Sequence, residues 1–297
     1  MMKKMPSVFI ILVNYNGYKD TIECIRSLKK ISYKNYKIIV VDNDSKDDSA
    51  NNIRKEFPCE TVIESKKNIG FSGANNIGIR YAIDNNADYV LLLNNDTEVD
   101  ELFLEKLILR VKDEPNIGIS TGKINYFDEK NIVWYGGGVF NKYKGNSYHI
   151  GIDKEDNGDY DKEKKVSFIS GCFMLIPVSV IKNVGLLSEE YFLYHEDTDY
   201  CCKVMKKGYD LFYYGESIIY HKVSSSTGKN SPLYYYYYTR NRCILIDRNL
   251  NSPIKQIAFL FFLTTRVLKI VLGRTEKSII IKALKDYRDG VIGYKNI

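Results

Sequence analysis

Long apolar runs are missing from these 297 residues. The nearest approach, Ile257 to Leu272, is broken by Arg266 and Lys269 and falls short of the roughly 18 uninterrupted apolar residues of a spanning helix. Only Lys3 and Lys4 precede Pro6, and the stretch Val8 to Val13 is too short for the core of a signal peptide. The six cysteines form no CxxC, and Cys201 and Cys202 are adjacent; this argues against a disulfide framework and for reduced thiols. Charge of one sign is also scarce. The 43 Lys and Arg are interleaved with 37 Asp and Glu, so the net charge of +6 gives no nucleic-acid footprint. These absences leave a cytoplasmic chain with enough length for a large core and a membrane surface still open to it.

What the chain does have is strands that end in polar residues. The four apolar residues Val90 to Leu93 run straight into Asn94, Asn95 and Asp96. A parallel strand covered on both faces reads this way, and ligands of open α/β sheets sit beyond the carboxyl ends of the strands. Asp96 is thus a carboxylate aimed at a ligand site, where a hard divalent cation holding phosphates is a natural partner. A plain strand end with Thr97 as a helix cap is the other reading. The pattern recurs along the chain. Val8–Val13 ends in Asn14, Tyr15, Asn16 and Gly17, and Lys37–Val41 ends in Asp42, Asn43 and Asp44. Thr61–Glu64 leads through Asn68, Ile69 and Gly70 to Ser72. Helical spacing follows each strand, with Ser45 and Asp48 as a capping box and Ser72 as an N-cap. Four such alternations predict an α/β fold with a doubly wound parallel sheet.

The texture changes after a helix near Leu102–Lys112. Short strands and glycines lead into a polar segment, 141–165, that reads as a mobile surface loop. Strands are expected over Phe168–Ile176, Leu211–Tyr214 and Ser217–His221, with a helix opened by Tyr191–Asp199. From Pro232 the spacing is helical. The division expected is a main domain over 1–230, with a donor half at 7–122 and an acceptor half at 123–230, followed by a helical extension over 231–297.

Seven segments stand in an order that is specific as a set: V-N-Y-N-G (13–17), V-D-N-D-S-K-D-D-S (41–49), N-I-G-F-S-G-A-N-N-I-G-I-R (68–80), L-L-N-N-D-T (92–97), S-G-C-F-M-L-I (170–176), F-L-Y-H-E-D-T-D (192–199) and H-K-V-S-S-S (221–226). Together they resemble glycosyltransferase family 2 proteins of GT-A fold, particularly the rhamnosyltransferase-like branch, over roughly residues 7–245. The resemblance implies a metal-dependent inverting hexosyltransferase that takes a sugar from a nucleoside diphosphate, with Mn²⁺ or Mg²⁺. It implies donor contacts from Val13, Tyr15, Asp42, Asn68, Gly70, Phe71, Asn75, Asn94, Asn95 and Asp96. Asp42 suits the base or ribose, and Gly70 permits close backbone approach; a simple turn at Asn68 and Gly70 is the alternative. Asp96 matches the last residue of the family's DXD motif, but two positions are Asn, so one formal charge remains and the donor phosphates would supply much of the coordination. His221, one of three histidines, matches the histidine that completes the metal site.

Inverting transfer needs a carboxylate to deprotonate the acceptor hydroxyl, and Asp197 is the candidate base. Glu196 and Asp199 flank it. The family's Glu-Asp pair binds acceptor and acts as base, while Asp199 reads as a solvated charge at a helix start. Gly171 and Cys172 resemble the acceptor-side Gly-Ala position, with Cys as the departure. Trp134, the only tryptophan, suits a sugar face or the core. Arg240, after a run of five tyrosines, suits either a diphosphate clamp or a structural helix. On the last long apolar helix, Lys255, Arg266 and Lys269 share one sector that suits anionic headgroups or snorkelling from a packed helix.

The expected donor is a dTDP- or UDP-sugar, with dTDP-rhamnose favoured by the Asn-Asn-Asp branch resemblance. The expected acceptor is a saccharide or lipid-linked saccharide in surface polysaccharide synthesis, at the inner face of the plasma membrane, with a homodimer open. A sugar nucleotidyltransferase would need a Gly-rich, basic loop after the first strand, where this chain has N-Y-N-G. A catalytically silent nucleotide-sugar-binding module would not need both Asp197 and His221.

Overall fold

The computed structural model describes residues 5–223, 231–273 and 276–295. Its first half is the predicted alternation. Strand β1 (Val8–Asn14) leads to α1 (Tyr18–Leu28), β2 (Tyr36–Asp42), α2 (Ser49–Glu56), β3 (Thr61–Glu64), α3 (Gly70–Asp84) and β4 (Tyr89–Asn94). The order β3-β2-β1-β4 is parallel throughout. Val8 to Leu12 of β1 and Val90 to Leu93 of β4 are buried, because helices cover both faces. Gly78 lets α3 lie against β1: a Cβ there would come 2.7 Å from Ile11 Cγ2.

Register fixes the rim. Asn14 stands beside Asp42, and Val13 beside Asn94, so the polar strand ends form one row. Two local expectations change. Ser45 is not a cap; its hydroxyl accepts from Asn14 and from the Asn16 N–H, and α2 starts later, after Asp48 in the left-handed region (φ 58°). Ser72 lies inside α3, which begins at Gly70.

The second half wraps this sheet with β5 (Thr97–Val99), α4 (Phe103–Val111), β6 (Ile117–Tyr126), β7 (Ile132–Tyr135), the hairpin β8 (Gly138–Asn141) and β9 (Asn146–His149), β10 (Lys154–Glu155), β11 (Lys164–Val166), β12 (Phe173–Pro177), α5 (Val178–Val184), α6 (Glu196–Lys206) and β13 (Asp210–His221). Strand β12 runs antiparallel to β4 and joins it to β6. The strands expected at Leu211–Tyr214 and Ser217–His221 are one strand, β13, whose register against β6 shifts between Tyr214 and Ile218. The polar segment 141–165 is clipped down rather than free: buried Lys123 pairs with Asp156 (2.8 Å) and Asp161 (2.5 Å).

Helix α7 (Pro232–Asn249) begins where Ser231 accepts the Tyr234 N–H and Pro232 occupies the first turn. It packs against α8 (Ile254–Val271) and α9 (Lys277–Arg288). The expected basic sector of α8 does not form as a surface. Arg266 is buried, Lys255 pairs with Asp247 at 2.8 Å, and Lys269 lies over the Tyr235 ring. Solvent meets apolar residues of α8 instead: Ile257, Leu260, Val267, Leu268 and Val271 are each more than 45% exposed. Among the described residues no helix is long and apolar enough to cross a membrane.

Candidate active site

The rim row is a hydrogen-bonded chain. Asn14 donates through Nδ2 to Asp42 Oδ2 at 2.7 Å, and the Ser45 N–H holds Oδ1 at 2.9 Å. Asn95 donates to Thr21 Oγ1, which donates to Asn14 Oδ1, both at 2.8 Å. Asp42 is thus buried with its orientation fixed from both oxygens. Next along the rim, Asn43 donates to Asn68 Oδ1 at 3.0 Å and accepts the Ile69 N–H at 3.0 Å. Tyr15 is the exposed member of the row, at 46%. Asn75 is turned inward, donating to the Phe71 carbonyl at 3.0 Å.

Pairing of β13 with β5 sets His221 opposite Thr97. His221 Nε2 and Asp96 Oδ1 then stand 3.1 Å apart, both side chains largely buried. Cys172, whose carbonyl accepts the Asn94 N–H, comes beside His221. Burial alone would depress the imidazole, but the Cys172 sulfur and the Asp96 carboxylate outweigh it and lift the pKa to about 10. Among the described residues no nitrogen or oxygen partners the buried Nδ1 of His221. Trp134 lies with this group, its ring 4.7 Å from His221 and 4.4 Å from His149. His149 Nδ1 donates to the Trp134 carbonyl at 3.1 Å, and burial lowers its pKa to about 4. The Asp96 oxygen and, once its proton is lost, the His221 nitrogen are donors that Mn²⁺ or Mg²⁺ accepts, although among the described residues no three His, Cys, Asp or Glu side chains are grouped to hold a metal by themselves.

The candidate base lies where the two halves meet. Gly171 donates its N–H to Asp197 Oδ2 at 3.2 Å, and the Thr198 N–H donates to Oδ1 at 2.6 Å. A Cβ on Gly171 would stand 3.0 Å from Phe71 and 3.5 Å from Asp197, so the donor-side aromatic and the base flank one glycine. Burial raises the Asp197 pKa. Burial first, then the Asp197 charge, lifts Glu196 to about 8, and Glu196 Oε2 has no hydrogen-bond partner among the described residues. Of the two, Asp197 holds the donors that favour the ionised form.

The turn that presents this pair is strained: Phe192, Tyr194 and His195 have φ of 65°, 68° and 73°. Such residues persist only when their surroundings over-determine them. Gly70 (φ 75°) presses against the turn, where a Cβ would meet the Phe192 carbonyl at 2.3 Å; the Phe71 N–H donates to that carbonyl at 2.9 Å. From α7, Asn241 Nδ2 reaches the carbonyls of Tyr191 (2.6 Å), Leu193 (2.6 Å) and Tyr194 (3.2 Å). Arg240 is fully buried and donates to the carbonyls of Tyr191, Glu190 and Gly293. Its fork is spent on the backbone, which replaces the expected diphosphate clamp with a structural clasp. Asp199 is not solvated either. It is buried and accepts from Ser188, Tyr191 and Asn249.

Asn14, Asn43 and Asn241 were not singled out from the sequence. The first two are strand-end residues, a signal already present in the rim pattern. Asn241 carries no local signal, because its partners lie about fifty residues upstream.

Residues 9–185 match the family model described as Glycosyl transferase family 2. A hexosyltransferase of low-salt glycan biosynthesis, Agl10 of Haloferax volcanii, is 25% identical over 86% of this chain and 80% of its own length. The dTDP-rhamnosyl transferase RfbF of Shigella flexneri is 23% identical over 88% of each chain. Two solved structures share the fold. GalNAc-T7 with UDP, GalNAc and Mn²⁺ has a TM-score of 0.68 at 15% identity, over 96% of this chain, which spans 55% of that one. The mannosyltransferase PcManGT of Pyrobaculum calidifontis with GDP-Man and Mn²⁺ has a TM-score of 0.61 at 14% identity, over 97% of this chain and 84% of its own. The chain belongs to glycosyl transferase family 2, with a GT-A fold, and is a glycosyltransferase that uses nucleotide sugars.

Proposed function

We propose that this family 2 enzyme transfers a hexose, with dTDP-rhamnose the leading donor, to a hydroxyl of a saccharide or lipid-linked saccharide with inversion. The observation that carries the reading is the place of Asp197. Its carboxylate is anchored by the Gly171 N–H beside Phe71, at the boundary between the nucleotide rim and the acceptor side. The rhamnose assignment is supported by the likeness to RfbF.

In this reading Asp42 and the Asn14 network hold the base and ribose, and Asn68, Gly70 and Phe71 line the path to the sugar. Asp96 and His221 would hold Mn²⁺ or Mg²⁺, which supplies neutralisation of the charge developing on the departing diphosphate. Asp197 takes the acceptor proton as that oxygen attacks the anomeric carbon from the face opposite the leaving group. Glu196, kept protonated by burial and by its neighbour's charge, donates a hydrogen bond to the acceptor.

The test is Asp197→Asn. General-base catalysis contributes about 10² to 10⁴ in rate, so turnover should fall by that order while calorimetric nucleoside diphosphate affinity holds. Near-normal turnover in Asp197→Asn with loss in Glu196→Gln moves the base one residue upstream.

We also propose that α8 lies on an anionic cytoplasmic membrane surface. Its exposed apolar stripe carries no acidic residue, and Lys144 stands 5.6 Å from the ring of Phe261 beside exposed Tyr143 and Tyr148. Apolar face, basic rim and tyrosines together suit an interfacial helix. All six cysteines are free, which supports the cytoplasmic side.

A further inference from the structure

On the inward face of α8 is a cationic group that the mechanism above does not use. Arg266 is 4% exposed, and its Nε and Nη1 are buried without a hydrogen-bond partner among the described residues. Its guanidinium lies 5.1 Å from the Phe262 ring and 6.0 Å from the Tyr238 ring. Arg242, also buried, lies 4.7 Å from the same Phe262 ring. Arg242 spends its fork on the carbonyls of Gly145 (3.1 Å) and Lys144 (2.7 Å).

The two guanidiniums repel each other, and among the described residues neither has a carboxylate at ion-pair distance. The influences that oppose burial at Arg266 come first from the phenols of Tyr238, Tyr234 and Tyr235 rather than from a carboxylate. His195 closes the group. It is 5% exposed, its ring lies 4.5 Å from Tyr238, and its Nε2 has no partner. Burial, with Arg242 and Arg266 adding to it, lowers its pKa to about 3, so the imidazole is neutral and able to offer an N–H.

A buried guanidinium with unmade hydrogen bonds and no counter-ion is costly. Aromatic stacking recovers part of that cost, but it leaves the in-plane N–H donors unused. Those donors match the oxygens of a phosphate. The position is informative too. His195 directly precedes Glu196 at the start of α6, which ties the group to the turn that presents Glu196 and Asp197.

We infer that Arg266, with Arg242 and His195, forms a phosphate subsite that takes a phosphate ester carried by the acceptor. The inference rests on the acceptor side assigned above and narrows the acceptor to a phosphate-bearing saccharide. The donor's own diphosphate is held elsewhere, on the Asp96 and His221 side.

The test has a binding arm and a transfer arm, both on the full chain. In the first, inorganic phosphate is titrated calorimetrically in divalent-free buffer into wild type, Asp96→Asn, Arg266→Met and Arg266→Lys. Phosphate should bind wild type and Asp96→Asn alike, at least tenfold more weakly in Arg266→Met, and in between for Arg266→Lys. In the second, KM is measured for a short-chain prenyl-diphosphate saccharide and for the same saccharide as a neutral alkyl glycoside. Arg266→Met should raise the first KM at least tenfold and leave the second and the donor KM unchanged.

Phosphate binding that ignores Arg266, or an unchanged KM for the phosphate-bearing acceptor, overturns the inference. So does loss of binding only to phosphatidylglycerol vesicles, which would make the source a lipid headgroup. If no donor and acceptor give transfer, the glycosyl-transfer reading of the acceptor side fails while the phosphate titration still decides the subsite. Should Arg266→Met not fold, Arg266→Lys carries both arms.

Discussion

The nucleotide rim and the acceptor turn are built in opposite ways. On the rim, each polar side chain is held by its neighbours in the same row: Asn14 by Thr21 and Asp42, Asp42 by Ser45, Asn43 by Asn68. Its geometry is that of the parallel sheet and is as durable as the sheet. The acceptor turn holds three non-glycine residues at positive φ and is kept in place by Asn241 and Arg240 from a helix about fifty residues away. The rim is set by strand register, whereas the turn is conditional on docking of α7. In the proposed reading this division sets a rigid donor cradle against a base whose position is tuned separately.

Breaking the clasp should give the largest effect. Asn241→Ala removes two N–H donors shared among three carbonyls and the oxygen that accepts Arg240 Nε, together worth three hydrogen bonds of about 1 kcal/mol each, so stability should fall by about 3 kcal/mol in denaturant titrations. Misplacement of the base by 1 Å costs about 10² in rate. Turnover should fall by that order while nucleoside diphosphate affinity changes little. Equal losses in both would show that rim and turn are one unit and would dissolve the comparison.

Asp96→Ala attacks the other side. The gain in nucleoside diphosphate affinity on adding Mn²⁺ should vanish in calorimetry, and thermal stability in metal-free buffer should fall as well, because the buried His221 loses its partner. Equal wild-type affinity with and without metal would remove the metal from the rim's account.

The pH profile sharpens the comparison at smaller scale. Asp197 must be ionised, and its pKa is raised by burial, so activity should climb with pH through a limb above the ordinary carboxylate range. Glu196 must keep its proton, so activity should fall above about pH 8 as that proton leaves. Each limb approaches tenfold per pH unit, and the two belong to the pair. In Glu196→Gln the alkaline limb should disappear. Donor binding should show neither limb.

The smallest effect on catalysis is expected on α8. Leu260→Glu with Val267→Glu should abolish sedimentation with anionic liposomes, yet change stability by within about 0.5 kcal/mol per site, as for exposed positions. Binding of the wild type should weaken with salt, at roughly 1 kcal/mol per basic residue near the surface. A wild type that ignores vesicles at low salt but dimerises through α8 would make the stripe a subunit interface.

The sheet was legible because β1, β2 and β4 are apolar runs ending abruptly in Asn or Asp, and burial on both faces leaves no other reading of such runs. The boundaries of α2 and α3 were less so. Ser45 and Ser72 satisfy capping patterns locally, but Asn14 claims the first and an earlier helix start bypasses the second. The segment 141–165 looked loose by composition, since a pattern of charges does not reveal that Lys123, buried on β6, pins two of its aspartates.

The sequence by itself determined the α/β class, the polar rim and the family, and it is the source of the proposal for Asp96, Asp197 and His221, because each rests on residues adjacent in the chain. Tertiary structure alone decided which cations face solvent. Arg240 and Arg266 carry the same side chain as any surface arginine, and helical spacing placed Arg266 in a plausible basic sector. Docking of α7 and α8 buries both, giving one a set of carbonyls and leaving Nε and Nη1 of the other without a hydrogen-bond partner among the described residues. Contacts between residues fifty or more positions apart set that difference, and no local pattern encodes them.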